Sequence, residues 1–134
     1  MDKSLLYVSK SLVDPRDRNH AVADIVTVAR SRNATLRVTG ALISTDGAFA
    51  QVLEGPPAAV DELMVSIYRD RRHTDVNVVL VESLAERRFP AWALAYSGLA
   101  TYVRGHIEPL MGNTDDGEAK ARQLIRLMEA WVRP

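Results

Sequence analysis

The carboxamide of Gln51 interrupts an otherwise apolar segment, residues 49–55, which reads Phe-Ala-Gln-Val-Leu-Glu-Gly. A buried primary amide has two donors and an acceptor to satisfy, and leaving them unpaired costs on the order of 1–3 kcal/mol. A side chain, a water molecule or a bound polar ligand must therefore meet this amide. From the residues alone, a satisfied core amide and a ligand contact are equally favoured.

Tyr7 and Asn33 are two further candidates for chemistry, although each also has an ordinary structural explanation. A tyrosine can be oxidised and can release its proton as it loses an electron, but Tyr7 taken alone is more simply a core residue. Asn33 stands at the predicted end of the first helix, where asparagine often adopts the left-handed conformation. Neither residue identifies a function without a partner.

The composition excludes several other kinds of site. The chain has 134 residues and no cysteine, which excludes disulfides, thiolate metal sites and thiol catalysis. His20 and His106 are isolated and show no metal-ligand spacing, so no metal is expected. Glu54 and Asp61 lack the partner arrangement of a hydrolase, and no catalytic residue is expected. Basic and acidic residues number 17 each, and this zero net charge argues against nucleic-acid or membrane-surface binding and favours self-association.

An alternating series of strands and helices must position these residues. Strands are predicted over residues 5–9, 36–44, 48–53, 76–81 and 91–96. An Asp-Pro pair at 14–15 begins a first helix that closes at 31–33, and a Pro-Pro pair at 56–57 begins a second helix that ends in the basic cluster 68–73. A loop at 112–117 precedes a last helix over 119–132. In the fifth strand Trp92, Leu94 and Tyr96 alternate with alanines, the pattern of side chains that share a face.

An Asp-Gly pair at 46–47 between two apolar runs predicts a tight β-hairpin. If the loop consists of these two residues, Leu42 lies opposite Gln51, and Gly40 lies opposite Leu53. The hairpin therefore places Gln51 in the middle of a sheet.

The order strand, helix, hairpin, helix, hairpin predicts a ferredoxin-like βαββαββ sandwich. We expect a five-stranded mixed sheet with two helices on one face and the C-terminal helices on the other. The right-handed crossover rule is taken to make strands one and three parallel neighbours. Tyr7 and Gln51 would then stand side by side on the helix-covered face. Residues 1–98 are expected to form this domain, with 99–134 as a helical extension packed on it.

The pattern resembles the BLUF domain, a flavin-binding blue-light sensor. The similarity covers about residues 3–97, and six short motifs occur in the order of the family. They are Leu-Tyr-Val-Ser at 6–9, Asn33, Thr-Gly-Ala-Leu at 39–42, residues 49–55 as given above, Asp-Arg-Arg-His at 70–73 and Arg-Arg-Phe-Pro-Ala-Trp at 87–92. Each motif is weak alone, whereas six in register are specific.

The resemblance implies a set of roles around a non-covalently bound flavin. Tyr7 would donate an electron and a proton, and Gln51 would rearrange its hydrogen bonds. Trp92 would be the third photoactive residue, because it matches the tryptophan that the family carries on strand five. Leu94 would be a signal-relay residue. The implied cofactor-binding residues are Ile25, Asn33, Ile67, Asp70, Arg72 and His73.

The residue chemistry agrees with these implied roles. A flavin ring is a large apolar plate with a polar rim, which suits an apolar slot with few polar groups. Reversing the amide of Gln51 exchanges its donor and acceptor, so that one side chain can encode two states. Leu94 departs from the family, because many members have methionine there, and leucine cannot accept a hydrogen bond through sulfur.

The resemblance therefore implies a blue-light photoreceptor and not an enzyme. The expected cofactor is FAD, with FMN or riboflavin as alternatives. A homo-oligomer, an unidentified downstream protein partner and a cytoplasmic location are also expected. Two rival functions are an RNA-binding sheet, in which Tyr7 and Phe49 face away from the helices, and an acylphosphatase-like hydrolase.

Overall fold

A five-stranded sheet is covered by two helices on each face in the computed structural model, which describes residues 1–112 and 115–132. The strands are β1 (Asp2–Ser11), β2 (Thr39–Thr45), β3 (Ala48–Gly55), β4 (His73–Leu84) and β5 (Trp92–Gly98). The helices are α1 (Arg18–Leu36), α2 (Pro57–Arg69), α3 (Thr101–Ile107) and α4 (Gly117–Val132), with 3₁₀ turns at Pro15–Asp17 and Glu108–Leu110. The predicted loop at 112–117 includes Asn113 and Thr114, which lie outside the described residues.

The strand order is β4-β1-β3-β2-β5, and β1 runs antiparallel to β3. The prediction that strands one and three are parallel is therefore wrong. The right-handed crossover through α1 relates β1 to β2, and β3 inserts between them from the hairpin. The predicted second hairpin is also wrong, because β4 and β5 form opposite edges of the sheet and β5 pairs in parallel with β2. The ferredoxin-like fold with an added strand is confirmed.

The β2–β3 hairpin has the predicted register. Leu42 pairs with Gln51, and Gly40 pairs with Leu53. A Cβ on Gly40 would lie 1.8 Å from the carbonyl oxygen of Val52, and the φ of Gly40 is +153°. Only glycine fits this crossing of two backbones.

Helix α1 extends past the predicted end at residues 31–33 and ends at Leu36. Arg37, with a φ of 58°, takes the left-handed position that closes the helix. Asn33 therefore belongs to the last turn of α1, and its side chain is buried. It faces the sheet side of the helix instead of capping its end.

The second sheet face is covered by α3 and α4, as the predicted fold class requires. Their buried side chains form one core with the sheet residues that point away from α1 and α2, including Leu6, Ile43 and Val52 of the sheet and Leu124 and Met128 of α4. No helix among residues 1–112 and 115–132 is long and apolar enough to cross a bilayer.

Strand β5 contains a β-bulge that the alternation in sequence does not reveal. Leu42 pairs with Leu94, but the next residue of β2, Ile43, pairs with Tyr96, so that Ala95 is the extra residue. Leu94 packs in the core under α1, whereas Tyr96 packs in the core under α4. The expectation that Tyr96 shares a face with Leu94 is therefore wrong.

The segment 85–91 crosses one end of the sheet and is held by the buried carboxylate of Glu54. This carboxylate accepts hydrogen bonds from the backbone N–H groups of Arg88 at 2.8 Å and Phe89 at 3.2 Å, and from Ser4 Oγ at 2.8 Å. The guanidinium of Arg88 also bonds to Glu82 of β4, whose other oxygen accepts from Arg122 of α4 at 2.8 Å. These bonds hold the segment that leads into β5.

Candidate functional site

The amide of Gln51 is the middle member of a hydrogen-bonded chain of three side chains. Gln51 Nε2 donates to the hydroxyl oxygen of Tyr7 at 2.7 Å, and Trp92 Nε1 donates to Gln51 Oε1 at 3.1 Å. Tyr7 and Gln51 are directly paired across β1 and β3, which confirms their predicted juxtaposition. All three side chains are buried. Both ends of the Gln51 amide therefore have a hydrogen-bond partner within the protein.

Burial raises the pKa of Tyr7 well above its ordinary value of 10. The hydrogen bond from Gln51 opposes this shift, and the nearby negative charge of Asp70 adds to it. The phenol therefore stays protonated throughout the neutral range. Because its oxygen accepts from Gln51, its own hydrogen is free to be donated elsewhere.

A cleft that is partly open to solvent lies between α1, α2 and the sheet. Concave and mostly apolar surfaces of this kind are typical of small-molecule sites. Tyr7 and Gln51 stand on its floor, and the walls are largely aliphatic. The aliphatic lining residues include Ile25, Val28, Leu42, Leu53, Leu63 and Ile67. The predicted pair Ile25 and Ile67 thus stands on opposite walls, since one belongs to α1 and the other to α2.

Asn33 lines the same cleft and is only 3% exposed. Within the described part of the chain, its side chain makes no hydrogen bond, although its backbone carbonyl accepts from Val38. Its amide opens on the cleft, since Arg18 Nε is the only fully buried side-chain nitrogen or oxygen without a partner among the described residues. The amide is therefore available to a polar ligand. An apolar cleft with an unpaired amide at its edge fits a flat ring whose rim carries acceptors and donors, as a flavin does.

Asp70 and Arg72 close one end of the cleft as an ion pair. Arg72 Nη2 lies 2.6 Å from Asp70 Oδ2, and its Nη1 reaches Asp24 of α1 at 3.3 Å. The hydrogen bond from Arg72 holds the pKa of Asp70 below its ordinary value, and the same bond raises the pKa of Arg72. Arg72 therefore joins α1 to the end of α2 across the cleft.

The other three predicted residues, His73, Trp92 and Leu94, differ in how close they lie to the cleft. His73 lines the cleft, but both ring nitrogens are bonded within the protein. Trp92 lies behind Gln51 and reaches the cleft only through it. Leu94 pairs with Leu42 and packs beside Trp92 in the core under α1.

Arg32 is an additional cleft residue on α1. It lines the cleft beside Asn33 and is exposed. Ser66, next to Ile67, also lines the cleft and was not singled out. The sequence offered no specific signal for Ser66, because a single serine on an amphipathic helix is usually part of the solvated face.

The fold and the cleft define a small α/β-sandwich domain whose cleft, between the sheet and two helices, suits a flat ligand with a polar rim. The hydrogen-bonded chain from Trp92 through Gln51 to Tyr7 reaches the floor of this cleft.

Comparisons with known proteins identify the family. Residues 3–95 match the family model described as BLUF, sensors of blue light using FAD. This chain belongs to the BLUF family.

Individual relatives agree with that assignment. The photoactivated adenylate cyclase subunit beta of Euglena longa is 41% identical over 92 residues, which cover 68% of this chain and 10% of that protein. The chain thus spans about a tenth of the length of the curated relatives it matches.

Two solved structures are similar over nearly the whole chain. BlsA in its photo-activated state has a TM-score of 0.74 at 27% identity, covering 93% of this chain and 95% of that one. BlrB, a BLUF protein in its dark state, has a TM-score of 0.72 at 29% identity and covers 96% of both chains.

Proposed function

We propose that this chain is a blue-light receptor that binds FAD in the cleft, with Tyr7 and Gln51 as its reactive pair. The observation that carries the proposal is the buried chain Trp92–Gln51–Tyr7 beneath an apolar cleft whose edge holds the unpaired amide of Asn33. Ile25 and Ile67 would flank the ring, and Asn33 would bond to its polar rim. When bound, a flavin absorbs blue light and accepts an electron in its excited state.

Tyr7 is suited to supply that electron together with a proton. Burial keeps the phenol protonated, and loss of an electron makes the phenolic proton strongly acidic. Because the phenolic oxygen already accepts from Gln51, its O–H is directed away from that amide in the arrangement described here. Loss of an electron lowers the electron density on the phenolic oxygen of Tyr7. The oxygen is then a weaker hydrogen-bond acceptor, which releases Gln51 to reorient.

Trp92 determines which way the amide points. An indole N–H can only donate, so the atom of Gln51 that faces Trp92 must be Oε1. If the amide reverses, Oε1 accepts from Tyr7 and the amide NH₂ confronts the indole N–H. Two donors cannot bond, and Trp92 therefore loses its partner whenever Gln51 switches.

Strand β5 would carry this change to the C-terminal helices. Trp92 opens the strand, and Leu94 follows it in the core under α1. Beyond the bulge, the hydroxyl of Tyr96 accepts from the backbone N–H of Ala100 at 3.0 Å, at the start of α3. The ring of Tyr96 lies 6.4 Å from that of Trp131 on α4. We propose that the signal leaves through these helices to a protein partner, and that the chain self-associates.

The rival functions receive no support. The RNA-binding alternative required Tyr7 and Phe49 to face away from α1 and α2. Both side chains are instead buried on the sheet face that these two helices cover, where Tyr7 packs under α2 and Phe49 packs under α1. The matched domain is a sensor, and the cyclase named in its relatives belongs to those longer proteins.

An absorption spectrum of the purified protein tests the proposal. We expect bound FAD and a red shift after blue light that reverses in the dark. FMN and riboflavin, titrated in parallel, test the preference for FAD. Tyr7→Phe should keep flavin and lose the shift. Protein that stays colourless after reconstitution with all three flavins contradicts the proposal.

A further inference from the structure

His73 lies where the end of α2 meets β1, and both of its ring nitrogens are engaged within the protein. Nδ1 is 2.7 Å from Ser9 Oγ, and Nε2 is 2.6 Å from the carbonyl oxygen of Ile67. A carbonyl can only accept, so Nε2 carries the hydrogen, and Nδ1 of the neutral ring accepts from the serine hydroxyl. Neither nitrogen is left to bind a ligand.

The bond to Ile67 fixes the last turn of α2. Carbonyls at a helix end lack partners within the helix. The Ile67 carbonyl accepts from the backbone N–H of Asp70 at 3.2 Å and also from His73. Because the side chain of Ile67 forms part of the cleft wall, His73 controls that wall by holding its backbone.

The ring of His73 also restrains Tyr7 directly. Its centroid is 6.1 Å from that of Tyr7 with an interplanar angle of 69°, and 6.1 Å from that of Phe49 at 84°. Edge-to-face pairs of aromatic rings are favourable contacts that fix the relative orientation of the two rings. The ring that donates to Ile67 thus also sets the plane of the Tyr7 phenol.

Ser9 makes this arrangement testable. It is fully buried, lies two residues after Tyr7 on β1 and does not belong to the cleft wall. A change at Ser9 therefore reaches the site through His73 and not through a ligand.

We infer that His73 is a positioning residue, which fixes the Tyr7 ring and the last turn of α2 from inside the protein. Its nitrogens do not bind the cofactor. This inference rests on the proposed function and replaces the cofactor-binding role that the family resemblance implies for His73.

Nitrogen NMR of the histidine side chains tests the inference without flavin. In ¹⁵N-labelled protein with no flavin added, His73 should show the Nε2–H tautomer. Ser9→Ala should shift its Nδ1 resonance and leave those of His20 and His106 unchanged. An Nδ1–H tautomer, or a His73 spectrum unaffected by Ser9→Ala, overturns the inference.

Flavin binding and dark recovery provide the second test. Ser9→Ala, His73→Phe and the double variant should each change the rate of dark recovery by about three- to tenfold, and the double variant should change it no more than the larger single change. FAD affinity should change by less than about threefold. The exposed serine variant Ser31→Ala is the matched control and should behave as wild type.

If a ring nitrogen of His73 instead binds the cofactor, the same variants should give a different set of results. His73→Phe would then weaken FAD binding by about tenfold or more, and Ser9→Ala would leave recovery unchanged. If His73→Phe does not fold, Ser9→Ala still decides between the two patterns. A wild-type protein that binds FAD without a light-induced shift contradicts the proposed function. The tautomer of His73 is measured by NMR without flavin, so that result decides the inference separately.

Discussion

Trp92 Nε1 donates to Gln51 Oε1 at 3.1 Å, and this single bond sets the orientation of the amide at the centre of the site. The amide is thereby directed with its NH₂ group toward Tyr7. Trp92, which lies behind Gln51, thus determines that the NH₂ group of the amide, and not its oxygen, faces Tyr7 at the floor of the cleft.

Illumination should remove the hydrogen bond of Trp92. The chain has two tryptophans, Trp92 and Trp131, so their indole N–H signals can be assigned with Trp131→Phe. We expect the proton resonance of the Trp92 indole to move upfield under blue light, because its acceptor oxygen is replaced by an NH₂ group. It should return in the dark. A Trp92 signal that stays fixed while the flavin spectrum shifts contradicts amide reversal.

Gln51→Leu should separate flavin binding from the light response. Leucine fills a similar volume but offers neither a donor to Tyr7 nor an acceptor to Trp92. We expect bound flavin to remain and the light-induced red shift to disappear, as measured by difference absorption. The exposed Gln123→Leu on α4 is the matched control and should keep the full shift. Persistence of the shift in Gln51→Leu contradicts the switch role and leaves the binding proposal intact.

Asn33→Leu should weaken flavin binding with little effect on stability. The amide of Asn33 has no protein partner within the described residues and opens on the cleft, so leucine should change the stability of the flavin-free protein by less than about 1 kcal/mol in urea unfolding. The same change would remove the proposed contact to the flavin rim and should weaken FAD binding by about tenfold, as measured by titration. Equal FAD affinity in the two proteins contradicts the assignment of Asn33.

Gly40→Ala should disrupt the sheet beneath the cleft. The added Cβ would meet the carbonyl of Val52 at 1.8 Å, so two strands must separate. We expect a loss of at least about 3 kcal/mol in the free energy of unfolding. Gly105→Ala on α3 is the control, because nothing lies within 4 Å of its added Cβ. That variant should gain about 0.5–1 kcal/mol from helix propensity. Similar effects of the two substitutions contradict the close approach at Gly40.

Acid should weaken the attachment of β4 to α4 through Glu82. The hydrogen bond from Arg88, assisted by Arg122, lowers the pKa of Glu82 below its ordinary value of 4.5. A lowered pKa stabilises the fold at pH values above 4.5, and this contribution is lost as the pH falls through the lowered pKa. Glu82→Gln should therefore flatten the loss of stability below pH 4.5, as followed by thermal unfolding. The exposed Glu62→Gln should keep the wild-type slope, and an unchanged slope in Glu82→Gln contradicts the prediction.

The local signals in the sequence placed Gln51 in the middle of the sheet but only permitted its contact with Tyr7. The Asp-Gly turn fixes the register of β2 against β3. The neighbourhood of Tyr7 and Gln51 was predicted from parallel strands, whereas the two residues pair across antiparallel strands. The order of the strands was less accessible, because a crossover rule relates β1 to β2 and says nothing about which edge β5 joins. The segment 85–91 leads the chain to that edge, and it is held by long-range bonds to Glu54 that no local pattern reveals.

Some assignments depended on individual side-chain directions that no local pattern encodes. The bonds of His73 to Ser9 and Ile67 join residues far apart in sequence or across a helix end, so composition and spacing could not reveal them. The bulge at Ala95 was hidden for another reason. The residues around it still alternate between large and small, and only the pairing with β2 shows that one residue is extra.

That extra residue puts Leu94 and Tyr96, two positions apart, on opposite sides of the sheet. If β5 paired with β2 without a bulge, Ala95 would lie opposite Ile43, and Tyr96 would turn toward α1 and α2. The backbone N–H of Ala100 at the start of α3 would then lose the hydroxyl oxygen that accepts from it. Deletion of Ala95 has a milder consequence, because Leu94 and Tyr96 become neighbours that alternate, and Tyr96 stays opposite Ile43 on the side of α4. We therefore expect relatives of this chain with one residue fewer here to keep an aromatic side chain against α4.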